Sequence, residues 1–378
     1  MHDNECFDYV IIGGGIAGAS VAYRLAGHAS VAILERESQP GYHSTGRSAA
    51  MFMEAYGTPQ IQALTRASRA FYEQPPADFT EHALLEPRGC LYVASREQQS
   101  MLKHTFEASQ ALAANVALLD TEQALALVPC LRPEVIAGAM HETAARDLDV
   151  HALHQGFLRA MRRAGGVLHC NAQLSTASRR DGFWQLLLSD GRQLRARNLV
   201  NAAGAWADQV AHQCGVAPVG LQPCRRTAFT FDGPPQLDFS RWPAVIGIDE
   251  SFYFKPDAGQ LLGSPANADP VAPQDVMPEE LDIATGIYHI EASTTLSIRR
   301  PRHSWAGLRS FVHDGDLVVG WDDSCEGFYW LAAQGGYGIQ SAAGVSQLAC
   351  SQLLHQPLPE ELQRQGVEPR LLAPARLR

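Results

Sequence analysis

The sequence predicts an α/β fold in which a Rossmann-like domain is combined with a discontinuous second α+β domain built on an antiparallel sheet. Three observations support this prediction. The first residues follow the order strand, glycine turn, helix, strand and acid, which is one βαβ unit. Helical segments then alternate with short apolar strands up to about residue 215. Residues 217–330 are mostly short strand candidates interrupted by a helix.

Length and composition exclude several classes of protein. The 378 residues correspond to more than two domains of roughly 150 residues. A hydrophobic fraction of 46% with 19% charged residues supports a sizeable core and excludes a disordered chain. The net charge of −10, with scattered basic residues, argues against nucleic-acid binding. No apolar run is long enough for a membrane span, and the polar residues 1–8 do not resemble a secretory signal. We therefore expect a cytoplasmic protein without a transmembrane segment, and peripheral attachment to the inner membrane stays open.

The cysteines and histidines give no indication of a metal or redox site. None of the eight cysteines forms a CxxC pair or a close cluster, so all are expected to be reduced. His151 and His154 lie three residues apart in a predicted helix, and we expect one on the surface and the other against the core. No metal is therefore predicted.

The N-terminal elements form the clearest pattern. Residues 7–12 are predicted as a buried parallel strand, residues 16–25 as a helix, and residues 31–34 as a second strand that ends at Glu35. Between the first strand and the helix lies the glycine-rich turn at 13–18.

The residues of this turn have separate tasks. Gly13 permits the tight turn, Gly15 lets the backbone approach a pyrophosphate, and Gly18 lets the helix pack closely on the strand. The helix N-terminus supplies free N–H groups and partial positive charge to phosphates. Glu35 lies where its carboxylate accepts hydrogen bonds from ribose hydroxyls. These residues predict a dinucleotide site, although the glycines alone do not separate NAD from FAD.

The later elements alternate in the same way and then become strand-rich. This order assigns residues 1–60, 150–215 and 325–378 to the dinucleotide-binding domain, and residues 61–149 and 216–324 to a substrate-binding domain. Further helices are predicted over 60–71, 98–113, 150–164, 281–293 and from the turn at 334–338 to about 354, and further strands over 84–93, 167–170, 183–188, 194–197, 199–200, 228–231, 251–254, 260–262, 317–319 and 328–331.

Two other segments favour a long cofactor. The loop at 41–50, rich in glycine and small hydroxyl residues and predicted to open a helix, offers N–H and O–H donors to its second half. The glycine-rich turn at 335–338 precedes the last helix, whose dipole stabilises negative charge on a flavin ring. A simple tight turn explains these late glycines equally well.

Several segments resemble the FAD-dependent D-amino-acid oxidase family, which includes glycine and sarcosine oxidases. These are the glycine turn with Glu35-Arg36, GYHSTGRSAA at 41–50, NAAGAW at 201–206 and AAQGGYGIQ at 332–340. In LQPCRR, DESFYFKPDAG, LLGSPANADPV and WAGLRSF the chain is most similar to the bacterial D-arginine dehydrogenases. The resemblance implies FAD, hydride transfer from the substrate Cα to flavin N5, and hydrolysis of the imine to a 2-oxo acid and ammonia. It assigns the cofactor to Gly13, Gly15, Ile16, Ala17, Gly18, Glu35, Arg36, Ser44, Thr45, Gly46, Arg47, Ser48, Ala49, Ala50, Leu174, Ala203, Gly204, Trp206, Gly335, Gly336, Tyr337, Gly338, Ile339 and Gln340.

The family pattern also places arginines and tyrosines around the substrate. A guanidinium matches a carboxylate bidentately, so we expect Arg309 to bind the carboxylate and Tyr253 to add a second donor. Arg226 and Tyr56 are expected to line the side-chain region and a lid, and Arg225 in place of Arg226 is an open alternative. The predicted catalytic residues are therefore Tyr56, Arg226, Tyr253, Arg309 and Gly336.

Two positions depart from the arginine enzymes and predict a different substrate. Met51 stands where those enzymes carry His, and Cys90 stands where they carry the acid that pairs with the substrate guanidinium. Loss of a buried charge partner costs a cationic substrate about 2–5 kcal/mol. With Phe52 beside them, these residues predict a pocket for neutral or apolar D-amino acids, although Glu54 or Glu86 would restore part of an acidic patch.

Two absences concern the flavin. Sarcosine-type oxidases attach it through a cysteine, and no cysteine lies between Trp305 and Asp314, so noncovalent FAD is predicted. Those oxidases also place a lysine beside the flavin, near the position of Leu261 here. We therefore favour a dehydrogenase that passes electrons to a quinone or another acceptor. The alternatives are an oxidase of glycine, sarcosine or another secondary amine that uses oxygen, and a non-catalytic dinucleotide-binding protein.

Overall fold

The structure is a computed structural model that describes residues 5–111 and 115–378. Its strands form one eight-stranded, one nine-stranded and one three-stranded sheet. In chain order they are β1 (Glu5–Ile12), β2 (Val31–Leu34), β3 (Met51–Phe52), β4 (Leu85–Pro87), β5 (Cys90–Ala94), β6 (Val116–Leu119), β7 (Gly138–Glu142), β8 (Arg146–Leu148), β9 (Val167–His169), β10 (Leu174–Arg180), β11 (Phe183–Leu188), β12 (Gln193–Asn201), β13 (Gln222–Phe231), β14 (Ala244–Gly247), β15 (Tyr253–Asp257), β16 (Gln260–Ser264), β17 (Asp269–Pro270), β18 (His303–Phe311), β19 (Val318–Trp321) and β20 (Phe328–Ala332).

The helices predicted over 16–25, 60–71, 98–113, 150–164, 281–293 and up to about 354 are present, with ends within two residues wherever those ends are described. The last two residues of the helix predicted over 98–113 lie outside the described part of the chain, and so do residues 1–4. The helices are α1 (Ile16–Leu25), α2 (Pro59–Glu73), α3 (Gln99–Ala111), α4 (Thr121–Leu127), α5 (Val150–Arg163), α6 (Ala207–Gln213), α7 (Glu280–Ser293), α8 (Gly338–Leu353) and α9 (Glu360–Arg364).

The eight-stranded sheet is the predicted Rossmann-like sheet. Parallel strands run in the order β20-β12-β1-β2-β9, and β10, β11 and β19 pair antiparallel at its sides. Helices α1, α5 and α8 pack together on one face, and α6 covers the other. The prediction of two strands at 194–197 and 199–200 was wrong. A single strand, β12, continues through Asn198, because β1 pairs with it along this length and the Asn198 side chain donates to Asp8 O.

The nine-stranded sheet is mostly antiparallel, in the order β17-β13-β16-β15-β14-β5-β7-β6, with β18 on the other side of β13. Its pairing of β5 with β14 is parallel. Helix α7 lies against one face, where Gly286 packs on Phe229 and Pro265. The mixed α/β class with a second, largely antiparallel sheet is therefore confirmed.

The third sheet, β3-β8-β4, corrects two local predictions. The loop at 41–50 does not open a helix, because Gly46 N–H closes a turn onto Gly41 O (2.8 Å) and the chain continues into β3. The next helix begins only after Thr58, whose hydroxyl accepts from Ile61 N–H. The strand predicted over 84–93 is two strands, and β4 and β5 belong to different sheets.

The predicted division into two domains stays a prediction. Two segments that it assigns to the substrate domain, α2 and β19, pack with α8 and β20 of the first sheet. No helix in the described part of the chain combines the length and apolar character that a membrane crossing requires.

Candidate cofactor and substrate site

The glycine turn after β1 is shaped by close backbone contacts. Gly13 has φ +108°, and a Cβ there would lie 2.4 Å from the carbonyl oxygen of Ala202, the residue that follows the neighbouring strand β12. A Cβ at Gly18 would lie 2.0 Å from Gly13 O, so α1 crosses close to β1 only because this residue is glycine. The first N–H of the helix, from Ile16, donates to Thr45 Oγ1 at 3.0 Å.

A first cavity of about 870 Å³, partly open to solvent, lies at the carboxyl ends of β1, β2 and β12. Glu35 forms part of its wall and also fixes the turn, because Oε2 accepts from Gly14 N–H (2.8 Å) and Oε1 from Glu37 N–H (2.9 Å). The predicted cofactor residues that line it are Gly13, Gly15, Glu35, Arg36, Ser44, Thr45, Leu174, Ala203, Gly204 and Trp206.

The rim of this cavity carries a stacked cation. The Arg36 guanidinium lies 3.8 Å from the centre of the Trp206 ring, and the His43 ring lies 4.6 Å from the same centre. Arg36 Nη2 is also within 3.1 Å of His43 Nε2. Glu37 Oε1 lies 2.9 Å from both Arg36 Nε and His43 Nε2 and offsets the positive charge. The arrangement therefore supplies flat stacked groups, to which a nucleobase is suited.

A second cavity of about 620 Å³ follows between the two large sheets. The loop at 41–50 reaches across it, since Ser44 Oγ donates to Leu308 O (2.6 Å) and Arg47 Nη1 donates to Val276 O and Ala306 O. Arg47 therefore uses its donors to fasten the loop. The predicted cofactor residues that line this cavity are Ile16, Ser44, Thr45, Arg47, Ser48, Ala49, Gly335, Gly336, Gly338 and Ile339.

The glycine turn before α8 brings backbone against an arginine. A Cβ at Gly336 would lie 2.6 Å from Arg309 Nη1, so the guanidinium approaches this turn only because residue 336 lacks a side chain. Gly335 has φ +51°, a conformation that favours glycine.

A third cavity of about 750 Å³ joins the second, and Arg226, Arg309 and Tyr253 line both. Arg309 Nη1 donates to Tyr56 OH at 3.2 Å, and Arg226 Nε donates to Asn267 O at 2.6 Å. Burial and the nearby charge of Arg309 lower the pKa of Arg226 to about 10, so both guanidinium groups are charged at neutral pH. The structure thus brings together all five predicted catalytic residues, including Gly336.

Arg225 is excluded from this cavity by strand geometry. Successive side chains of β13 point to opposite faces, and Arg225 faces α7, where it pairs with Asp282 (2.8 Å) and with Glu279. Arg226 faces the cavity and has no carboxylate partner among the described residues. The open choice between the two arginines is therefore resolved in favour of Arg226 as the cavity residue.

The remaining wall of the third cavity is largely apolar, and Met51 lines it as expected. Cys90 does not line it. This residue is fully buried in β5 and packs behind the wall beside Met53 and Tyr92. The sequence missed the other apolar wall residues, which are Met53, Tyr92, Ala244 and Ile246.

The charged residues of the third cavity also differ from those expected. Glu54 pairs with Arg69 and Glu86 lies on β4, and neither lines the cavity. Instead Glu250 and Lys255 line it, and Lys255 Nζ is held by Asp147 Oδ1 at 2.8 Å. Both belong to the segment DESFYFKPDAG, in which Lys255 follows Tyr253 at the two-residue spacing of one strand face, a signal that could have found it.

The prediction that Leu261 stands at the position of a flavin lysine was wrong. Leu261 is fully buried in the apolar core under α7 and lines none of the three cavities. Lys255 is the lysine that the strand order brings to the cavity. The absence of lysine at 261 therefore does not separate a dehydrogenase from an oxidase.

Not every predicted cofactor residue reaches a cavity. Ala50 and Gln340 line the third, together with Ser48, Ala49 and Ile339. Ala17, Gly18, Gly46 and Tyr337 line none of the three. Sequence reasoning missed His43 and Tyr42 of the same loop, and Ala202 beside the glycine turn, all in the first cavity.

The three cavities together form one elongated channel. Ser44 and Thr45 line both the first and the second cavity. The second and third cavities share seven lining residues, which are Ser48, Ala49, Arg226, Tyr253, Arg309, Gly336 and Ile339. This channel begins at a glycine turn and a helix N-terminus, and at Gly13 and Gly336 no side chain separates the backbone from the channel. It therefore fits a long dinucleotide such as FAD. The residues present therefore fit this cofactor.

A dinucleotide channel that ends in a small cavity with two arginines defines the class of flavin-dependent oxidoreductases. Comparison with known families agrees with this assignment. The chain belongs to the DAO family of FAD-dependent oxidoreductases, whose sequence model matches residues 8–352. It is an enzyme, and its cofactor is FAD.

Individual relatives are distant. FAD-dependent oxidoreductase domain-containing protein 1 of Bos taurus is 24% identical, over 93% of this chain and 82% of its own length. Mitochondrial dimethylglycine dehydrogenase of Rattus norvegicus is also 24% identical, and the chain spans only 43% of its length.

Solved structures show the same fold. Glycine oxidase from Geobacillus kaustophilus superposes with a TM-score of 0.82 at 20% identity, covering 96% of this chain and 99% of that one. L-proline dehydrogenase from P. horikoshii gives 0.82 at 18% identity, covering 99% and 98%. The narrower resemblance to D-arginine dehydrogenases stays a prediction.

Proposed function

We propose that this chain oxidises neutral α-amino acids, and that noncovalently bound FAD is the oxidant. The D-configuration of the substrate follows from the family resemblance of the sequence. The observation that carries the proposal is the pair Arg226 and Arg309, which line one cavity with Gly336 and have no carboxylate partner in the described part of the chain. Glu250 lies in the same cavity but forms no salt bridge with either arginine. Two charged guanidinium groups without a paired carboxylate suit the binding of a substrate carboxylate.

The predicted roles of the side chains follow from these contacts. Arg309 binds the substrate carboxylate, and Tyr56, which already accepts from Arg309 Nη1, keeps the guanidinium in place. Tyr253 and Arg226 add donors from β15 and β13. With the carboxylate fixed, the α-carbon is held in one orientation, which is the main contribution that a protein makes to a cofactor reaction. FAD, when bound, accepts the hydride equivalent from that carbon.

The wall of the third cavity supports a neutral side chain. Met51, Met53, Ala244 and Ile246 offer apolar surface, and the Lys255 ammonium, which would repel a cationic side chain, is held by Asp147, a carboxylate that also pairs with Arg88. A buried cationic substrate group would need an acid deep in this wall, and the acid found there, Glu250, lies on an exposed turn. We therefore expect D-Ala, D-Val, D-Leu or D-Met to be better substrates than D-Arg.

Electron transfer to a quinone or another acceptor is proposed for the second half-reaction. Oxygen is a second candidate acceptor, which the position of Lys255 in the substrate cavity favours, because sarcosine-type oxidases carry a lysine beside the flavin. Hydrogen peroxide formed per turnover in air separates the two candidates. One peroxide per substrate indicates an oxidase, and turnover that depends on an added quinone analogue indicates a dehydrogenase.

The test is an anaerobic screen of FAD-loaded protein with D- and L-amino acids, glycine, sarcosine and dimethylglycine, read as loss of the flavin absorption bands. Bleaching by neutral D-amino acids is expected. Arg309→Met should keep the yellow colour and lose about 100-fold or more in the reduction rate at low substrate, because a buried charge-assisted contact is removed. The proposal is wrong if dithionite bleaches the flavin and no amino acid does, or if the variant reduces at the wild-type rate.

A further inference from the structure

Glu142 lies directly behind the segment that carries Tyr56. It is the last residue of β7 and is only 1% exposed. Its Oε1 accepts from the backbone N–H of Glu54 at 2.6 Å and of Ala55 at 3.2 Å. One carboxylate oxygen therefore fixes the two peptide groups that precede Tyr56 in the chain.

The segment that it fixes forms part of the substrate cavity. Met53 and Tyr56 line the cavity, and Tyr56 OH accepts from Arg309 Nη1. Other contacts also restrain this segment. Gln340 Nε2 donates to Tyr56 O at 3.4 Å, and Gln62 Nε2 donates to Ala55 O (3.3 Å) and Gly57 O (2.9 Å) on either side of Tyr56. The Tyr337 ring packs on the Tyr56 ring at 4.9 Å between centroids. Among these contacts Glu142 provides the acceptor for the Glu54 and Ala55 amides, and it is the one with a titratable carboxylate.

The second carboxylate oxygen of Glu142 is unusual. Oε2 is buried and has no hydrogen-bond partner among the residues that the structure describes. Arg69 is the nearby cation, but its Nε and Nη1 are used by Glu54 and Glu73, and its Nη2 is likewise unpartnered. A buried, unpaired carboxylate oxygen favours the protonated acid, because the charged form loses its hydration without a replacement.

Some of the groups around Glu142 raise the pKa of its carboxyl group and others lower it. On β5, Cys90 pairs with Glu142 across the strands, and Tyr92, two residues further, pairs with Met140 on the same face. On β6, Glu142 faces the apolar Val116. Burial raises the pKa of Glu142, the Ala55 and Glu54 amides lower it, and the negative charge of Glu54 raises it, so that it lies at about 7. The attraction of Arg69 does not offset the burial.

We infer that Glu142 is a positioning residue for Tyr56, and that ionisation of its carboxylate tightens the segment at 53–56 around the substrate. Hydrogen bonds to a charged acceptor are shorter and stronger than those to a neutral acid. Glu142 touches neither substrate nor cofactor in this scheme, and it acts through the Glu54 and Ala55 amides. The part of the inference that concerns substrate rests on the proposed function, whereas the tightening of the segment does not.

The first experiment needs no turnover. Hydrogen exchange of the Glu54 and Ala55 amides is measured in the FAD-loaded protein at pH 6 and pH 8 and expressed as protection relative to an unstructured peptide. The expected rise concerns local opening, in which the segment at 53–56 moves while Glu142 stays enclosed between β5 and β6. For this opening wild-type protection should increase about fivefold between the two pH values, the factor that separates a charge-assisted from a neutral hydrogen bond. Global unfolding, which ionisation of Glu142 favours, is the separate effect on stability. Glu142→Gln keeps an oxygen acceptor and does not titrate, so its protection should be the same at both values. An equal rise in the variant overturns the inference.

The second experiment uses the best amino acid from the anaerobic screen. For the wild type, KM should fall about fivefold from pH 6 to pH 8 while kcat changes little beyond what Glu142→Gln also shows. In Glu142→Gln the KM transition should be absent, and Glu142→Ala should have the highest KM. His141→Gln is the matched control, since His141 precedes Glu142 on the same strand and also titrates, and it should keep the transition.

The two experiments separate two failures. If no amino acid reduces the flavin but the exchange difference is lost in Glu142→Gln, the proposed function fails and the positioning role stands. If amino acids are oxidised and Glu142→Gln keeps the wild-type pH dependence of KM, the positioning role fails and the proposed function stands.

Discussion

The two ends of the channel are built in different ways. The first cavity is centred on the backbone turn between β1 and α1, where a Cβ at Gly13 or Gly18 would overlap a backbone oxygen. The loop at 41–45 and residues 172–174 and 202–213 complete its walls. The third cavity is shaped by side chains from strands far apart in the sequence, chiefly β13, β15 and β18 with the segment after β3. The cofactor end should therefore fail completely when its turn is changed, whereas the substrate end should respond residue by residue.

The largest expected effect is at the glycine turn. Gly13→Ala places a Cβ 2.4 Å from Ala202 O at a φ of +108°, and neither backbone can move without breaking the β1–β12 ladder. We expect loss of bound flavin, measured as absorbance per protein after gel filtration. Gly27→Ala, after the end of α1 with open space around it, is the control and should retain full flavin. One bound flavin per Gly13→Ala protein would contradict the expected sensitivity of the cofactor end of the channel.

The next effect separates two neighbours on β13. Arg226→Met should lower kcat/KM about 100-fold and leave the folded state intact, because an unpaired buried charge is removed. Arg225→Met leaves Asp282 without its cation and should cost roughly 3 kcal/mol of stability, with little change in the kcat of the folded enzyme. Steady-state kinetics and denaturant titration of both variants test this. Equal kinetic losses would contradict the assignment of the two arginines to opposite faces.

A smaller effect is expected at Cys90. Because this residue packs behind the cavity wall next to Glu142, Cys90→Glu buries a second carboxyl group beside the first. We expect a loss of about 2–3 kcal/mol in unfolding free energy and no gain of D-Arg oxidation. Ile246→Glu, which places the acid in the wall itself, is the matched variant and should improve D-Arg relative to D-Leu. D-Arg oxidation by Cys90→Glu would instead show that Cys90 reaches the substrate.

The smallest effect is a pH dependence of stability. The folded-state pKa of Glu142 is raised from an ordinary 4.5 to about 7, so the folded protein binds the proton more tightly than the unfolded chain. Its contribution to stability is full below pH 4.5 and is lost as the pH rises through 7, by about 3 kcal/mol or less. Relative to the wild type, Glu142→Gln should gain a few degrees in Tm at pH 8 compared with pH 5. A constant difference in Tm across this range would contradict the raised pKa.

The sequence predicted the cofactor end of the channel more closely than the substrate end. In the βαβ unit, α1 at Ile16–Leu25 and β2 at Val31–Leu34 were predicted to the residue, and β1 begins two residues before the predicted 7–12. The prediction was this close because the apolar periodicity and the glycines are contiguous. The arginines and tyrosines of the substrate cavity came from family resemblance. The structure places them in one cavity, but their roles remain predictions.

The parts that could not be predicted depend on pairing between distant segments. The hydropathy of β7 (Gly138–Glu142) and of β18 (His303–Phe311) does not alternate plainly along the sequence, although the burial of β18 alternates in the structure. The parallel pairing of β5 with β14 puts Cys90 opposite Ala244 and Tyr92 opposite Ile246, so these four side chains share one face of the sheet. Cys90 alone of the four does not line the cavity, and no local pattern reveals this. The same holds for Glu142, whose position behind Tyr56 requires the tertiary fold.

The division of the channel walls has an evolutionary consequence. Arg226, Arg309 and Gly336 border both the middle and the last cavity, so a change there disturbs two ligands at once. Met53, Tyr92, Ala244 and Ile246 border only the last. These four residues can therefore be replaced during evolution so that the enzyme accepts a different substrate, while the flavin site and its redox chemistry stay unchanged.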